Sequence, residues 1–96
     1  MNAATPIIFS EHVLEYAQSR GVALAEIAAS IRTEEWHRHG RDRYESRKNF
    51  AHCAHWGGAW YDTKQVRVVF AADRGRVVVI TAYGYLVRTR PADAAA

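Results

Sequence analysis

Ninety-six residues, 49% of them apolar and 24% charged, make one small domain of ordinary globular composition. That excludes a disordered chain, a collagen-like fibre and a low-complexity tail. Apolar runs such as Val77 to Ile80 are far too short to cross a membrane, and no basic N-terminal region leads into a hydrophobic stretch as a secretory signal would require.

The single cysteine, Cys53, excludes an internal disulfide framework and fits a reducing, cytoplasmic setting. Net charge is +3, and it is unevenly placed. Residues 1–36 set Arg20 and Arg32 against Glu11, Glu15, Glu26, Glu34 and Glu35, net −3. Residues 37–90 set eleven Lys and Arg against Asp42, Glu45, Asp62 and Asp73, net +7. Such a segment suits a polyanion or an acidic protein partner, and the acidic first third does not.

Along the chain, residues 1–5 and 91–96 read as frayed ends of a single domain whose ordered core is about 7–88. Ser10 is placed to cap a first helix, with Glu11 favouring its N-terminal dipole. Val13, Leu14 and Ala17 share one side of it, and Arg20-Gly21 is its stop. Leu24, Ile27, Ala28 and Ile31 then give an amphipathic second helix over about Ala23 to Arg32. The rest is β. Tyr44 to Phe50, Gln65 to Ala72 and Arg76 to Tyr83 read as strands, with Asp73-Arg74-Gly75 as a hairpin turn. Gly57-Gly58 either turns another hairpin or kinks a loop. The predicted fold class is therefore α+β: an N-terminal helical hairpin packed on a twisted antiparallel sheet of three to five strands.

Strand parity assigns the faces. Val66, Val68, Phe70, Val78 and Ile80 are expected beneath the second helix, with Ala82 on their side. Arg67, Thr81, Tyr83 and Tyr85 then share the opposite face. Phe50 in the core puts Arg47 and Asn49 there too, and a bulge would exchange Arg47 for Lys48. A cationic face with hydroxyls and aromatic rings suits RNA. Metal-free RNA cleavage needs a base, an acid and a cation for the phosphorane charge. The candidates are His12, Arg47, Lys48, Arg67, Thr81 and Tyr83. Bland alternatives stand beside each: a surface or capping histidine, a solvated basic sheet face, and simple β-propensity for Thr and Tyr.

The stretch from Trp36 to Trp60 holds His37, His39, His52, His55 and Cys53. Zinc accepts such ligands, but their spacing matches no specific zinc pattern, so no metal and no cofactor is expected. The stretch reads instead as a basic, aromatic loop. Trp36, Trp56 and Trp60 suit core or partner packing better than base stacking. Adjacent strand positions face opposite ways, so His52 is badly placed as a base for a nucleophilic Cys53.

Phe9-Ser10-x-His12-Val13-Leu14, Arg20-Gly21-Val22, Tyr44 to Phe50 and Val79-Ile80-Thr81-Ala82-Tyr83 together resemble a small bacterial domain family allied to RelE/ParE-type toxins. The resemblance spans about residues 7–86, and the stretch from Trp36 to Trp60 departs from it as an insertion. It implies the barnase–EndoU–colicin–RelE fold. It also implies an endoribonuclease toxin cleaving mRNA or tRNA by 2′-OH attack, with RNA and a cognate antitoxin or immunity protein as partners, as monomer or heterocomplex. His12, Arg47 or Lys48, Thr81 and Tyr83 match its pattern. The other class of reading is a non-catalytic module that binds a protein, gyrase-like or regulatory, through its basic, Trp-rich face.

Overall fold

The computed structural model of the chain describes residues 5–87, apart from the side chains of Cys53, Ala54 and Trp56. The expectation of frayed ends lies outside these residues, except at Thr5. Seven elements follow one another: β1 (Ile7–Phe9), α1 (Glu11–Tyr16), α2 (Leu24–Thr33), β2 (His37–Arg38), β3 (Tyr44–Trp56), β4 (Ala59–Asp73) and β5 (Arg76–Val87). The fold is α+β, and strands dominate it. One five-stranded sheet has the order β1-β5-β4-β3-β2.

The sheet is mixed, which corrects the expectation of an antiparallel one. β1 lies parallel to β5, Ile7 to Phe9 opposite Val77 to Val79. The remaining pairs are antiparallel. Three residues beside a proline carry too little alternation to read as a strand. β3 and β4 also run well past their predicted bounds, because most of the stretch from Trp36 to Trp60 is strand, and β5 continues to Val87. It is not a loop insertion.

Local chemistry explains the turns. Arg74 and Gly75 have φ 50° and 76°, and Gly57 and Gly58 have 60° and 82°. Positive φ at both central residues suits the twist of a two-residue hairpin. Both hairpins can therefore be tight, and the β3–β4 hairpin runs on past the last described rung to β5, Thr63 with Val87.

Both helices lie on one face. Ser10 caps α1, its Oγ accepting from Val13 N–H at 3.3 Å. Gly21, at φ 69°, makes the turn toward α2. Val13 and Ala17 of the α1 region and Ile27 and Ile31 of α2 bury against Val66, Val68, Phe70, Val77 and Val79. The buried Ser30 and Ser46 hydroxyls, 2.9 Å apart, tie α2 to β3. Trp36 packs edge-on to Phe70, its Nε1 donating to the Ile31 carbonyl at 2.9 Å. Leu14 is 55% exposed and takes no part in the core expected of it.

One feature of β5 corrects the parity reading. Val77 and Val79 are the buried residues, and Val78 and Ile80 are half-buried. The register with β4 shifts between Val69 opposite Thr81 and Phe70 opposite Val79, so Ile80 is an extra residue. Without that bulge, alternation from Val77 would drive Thr81 and Tyr83 into the core. With it, Ala82 turns inward and the two hydroxyl side chains face away from the helices.

Candidate functional site

The face opposite the helices is built in rows. Glu45, Val69 and Thr81 stand in one row across β3, β4 and β5, and Arg47, Arg67 and Tyr83 in the next. Asn49, Gln65 and Tyr85 follow, with Gln65 Nε2 donating to Asn49 Oδ1 at 3.2 Å.

At the β3 end the central group is a buried carboxylate. Arg47 Nε donates to Glu45 Oε2 at 2.7 Å, and Arg67 donates to Oε1 at 2.7 Å. His39 Nδ1 lies 3.3 Å from the same Oε1. Burial works to raise the Glu45 pKa, but the Arg47 and Arg67 hydrogen bonds and charges outweigh it and hold the carboxyl below its usual range. Glu45 is therefore an anion at neutral pH, and it tightens the hold of Arg67 on its own proton.

At the β5 end the partner is the α1 region. His12, Tyr16 and Arg20 recur every four residues and form one stripe. His12 Nε2 lies 3.5 Å from Thr81 Oγ1, and its ring rests 4.8 Å from that of Tyr16. Arg20 Nη1 donates to Thr81 Oγ1 at 3.0 Å and to the Ala82 carbonyl at 3.1 Å. Its guanidinium lies over the Tyr83 ring, 4.9 Å from the centroid. Arg67 reaches the same ring from the β4 side at 5.9 Å, so Tyr83 links the two ends of the strip.

Gly84 explains how Arg20 comes so close. A Cβ there would stand 3.0 Å from Val22 Cγ2 and 3.1 Å from the Arg20 carbonyl. Only glycine lets the turn after α1 settle against β5 at this point.

The structure brings His12, Arg47, Arg67, Thr81 and Tyr83 onto this strip. It does not bring Lys48. The bulge in β3 falls between Ala51 and Ala54, after Lys48, so Arg47 keeps its place beside Arg67. Lys48 points to the helix side, where Nζ meets Glu34 at 3.0 Å and Thr33 at 2.9 Å. Glu45, Arg20, Tyr16 and His39 belong to the strip and were not anticipated. The available signals were Glu45 two residues before Arg47 on one strand, and Arg20 eight residues after His12.

The other histidines disperse. His55 sits edge-on to Trp60 at 5.0 Å, and His52 lies on the far side of the sheet edge, within electrostatic reach of Glu26. The predicted reading of Cys53 and Trp56 concerns side chains outside the described ones. No helix among the described residues is long and apolar enough to cross a membrane. The chain matches no family model, no curated protein and no solved structure.

Proposed function

We propose that this protein is a metal-independent endoribonuclease whose active site is the strip from Glu45 to His12. The observation that carries the reading is the row Glu45–Val69–Thr81. A carboxylate stands at one end and an imidazole at the other, with guanidiniums beside both. Two strand spacings, about 10 Å between backbones, separate Glu45 from Thr81, and His12 on α1 stands beside Thr81.

In-line transfer needs that layout. The ribose 2′-oxygen attacks phosphorus as the bond to the 5′-oxygen breaks, so base and acid must stand on opposite sides. Glu45 takes the 2′-hydroxyl proton and His12 gives one to the leaving oxygen. The products are a 2′,3′-cyclic phosphate and a 5′-hydroxyl. Arg67 and Arg20 stabilise the charge on the equatorial oxygens, with Arg47 behind them. Binding of the phosphate draws the arginines from Glu45, which restores its basicity. Thr81 orients His12, and Tyr83 supports both cations from beneath. In line with the likeness to RelE/ParE-type toxins, we read the chain as such a toxin of the barnase–EndoU–colicin–RelE kind. A cognate antitoxin or immunity protein would neutralise it by covering the strip.

The test is cleavage of end-labelled RNA by the purified protein in excess chelator, with analysis of the product ends. Cyclic phosphate ends, and a loss of about 10²–10⁴-fold in Glu45→Gln and His12→Ala, are expected. Intact RNA, or cleavage indifferent to both changes, overturns the reading.

A second reading has its own observation. Glu45 already pairs with two of the basic side chains, and Trp60 is 46% exposed on the long β3–β4 hairpin. A non-catalytic module would use that hairpin and the strip to hold a protein target, gyrase-like or regulatory. Its complex would respond weakly to salt, whereas RNA binding falls steeply.

A further inference from the structure

β1 covers β5 only at Val77 to Val79. Beyond it, Ser10 Oγ donates to the Ile80 carbonyl and Arg20 to the Ala82 carbonyl. Main-chain groups alternate in direction along an antiparallel ladder, so those of Gly84 and Leu86 face the same way as Ala82. There they line a cleft of about 580 Å³, between the turn after α1 and the end of the β3–β4 hairpin. That is the size of a small-ligand site, about 300–1,000 Å³.

Its walls are unlike the core. Tyr61 and Tyr85 line it with two cations, Arg20 and Lys64, and His52 and Ser19 add polar groups. Lys64 Nζ is held at 2.7 Å by Glu26, which fixes it at the rim. Two residues, Arg20 and Tyr85, belong to both this cleft and the catalytic strip. A polynucleotide lying along the strip and past Arg20 therefore runs into the cleft.

We infer that the cleft holds the base of the nucleotide next to the scissile phosphate. This inference rests on the nuclease reading and adds the part of the substrate that the strip does not touch. Tyr85 stacks on Tyr83 at 6.4 Å and is 41% exposed, so it offers its outer ring face to the base at the border of strip and cleft, since every base has a π-face to stack. The Gly84 and Leu86 main chain offers N–H donors and C=O acceptors to the base edge, and Arg20 holds the phosphate at the mouth. A phosphate or ribose alone would use only the mouth.

The experiment is a titration of the full chain with the four nucleoside 3′-monophosphates and, separately, with ribose 5-phosphate, followed by backbone amide shifts. RNA cleavage is measured alongside. Nucleotides should move the Gly84 and Leu86 amides, and ribose 5-phosphate should not. Tyr85→Ala should weaken nucleotide binding by about tenfold. Leu86→Trp, which fills the cleft without removing a polar group, should abolish the Gly84 shift while a phosphate still perturbs Thr81. Cleavage by a wild-type protein whose Gly84 and Leu86 amides stay still overturns the cleft and leaves the nuclease. Shifts at Gly84 and Leu86 without cleavage keep the cleft as a nucleotide site and overturn the nuclease. Stillness everywhere, with no cleavage, overturns both.

Discussion

Replacing Glu45 by Gln removes one charge and almost no volume, so it isolates the electrostatics of the strip. Gln keeps one acceptor oxygen for one arginine and turns an N–H₂ toward the other. A hydrogen bond to a charged group contributes about 1.5–3 kcal/mol. Arg47 is 55% exposed and regains water when released, whereas Arg67 is 29% exposed and keeps the oxygen. The net cost at pH 7 is then about 1–2 kcal/mol, with surface screening included. For a chain this short that is a fall in Tm of about 4–16 °C. The pH dependence follows from the lowered pKa of Glu45. A carboxyl held below its unfolded value of 4.5 stabilises the fold above that pH, and the stabilisation is lost as pH falls through the folded value. Glu26 and Glu34 are also lowered, but both proteins carry them and their contributions cancel in the difference. Melting curves of wild type and variant should therefore differ at pH 7, and the gap should narrow as pH falls below 4.5. The same variant should bind RNA more tightly, with a salt slope steeper by about one, while cleavage collapses. A stability gap that does not narrow as the protein is acidified, or weaker RNA binding, refutes the reasoning.

Arg67→Ala should flatten the salt dependence of RNA binding by about one unit and abolish cleavage, whereas Lys48→Ala, on the helix side with Glu34, should leave cleavage unchanged; matched titrations with gel assays decide it. Gly84→Ala should cost about 1–3 kcal/mol in urea unfolding, because its Cβ meets the Arg20 carbonyl at 3.1 Å, and it should slow cleavage by lifting Arg20 from Thr81. Ser30→Ala should cost about 1–3 kcal/mol by stranding the buried Ser46 hydroxyl, and the double change to Ala should cost less than the sum of the two single changes.

The helices were legible because each carries its own local marks: Ser10 as a cap, Gly21 as a stop, and the Ile27–Ile31 stripe. The β4 face was legible because Val66, Val68 and Phe70 alternate strictly with Arg67. β5 misled because Val77 to Ile80 is apolar without a break, so parity had to be counted from Thr81 and Tyr83. The polar face came out as expected and the core residues did not, since the bulge at Ile80 lies between them. β1 was missed because parallel pairing to Val77–Val79 is a long-range fact with no local signature. Lys48 is the alternative to Arg47 because parity is counted back from Phe50, and a bulge between them and Phe50 would swap the two; bulge positions leave little trace in composition.

The site was harder to read because its central group carries the wrong sign. A basic segment of net +7 directs attention to cations, and Glu45 enters that tally only as a subtraction. Yet two guanidiniums converging on a strand with no anion between them would repel each other at short range. Glu45 lets Arg47 and Arg67 stand as neighbours across one rung and keeps both extended over the sheet. That stabilising role and the proposed role as base make opposite demands on the same carboxylate. As an ion-pair partner it is held at low pKa, and as a base it must lose those partners. Under that proposal a phosphate would reconcile the two, because it would take over the arginines as the carboxylate is needed. On the proposed nuclease reading, the base is therefore weak until substrate arrives, and Arg67 is the group that moves.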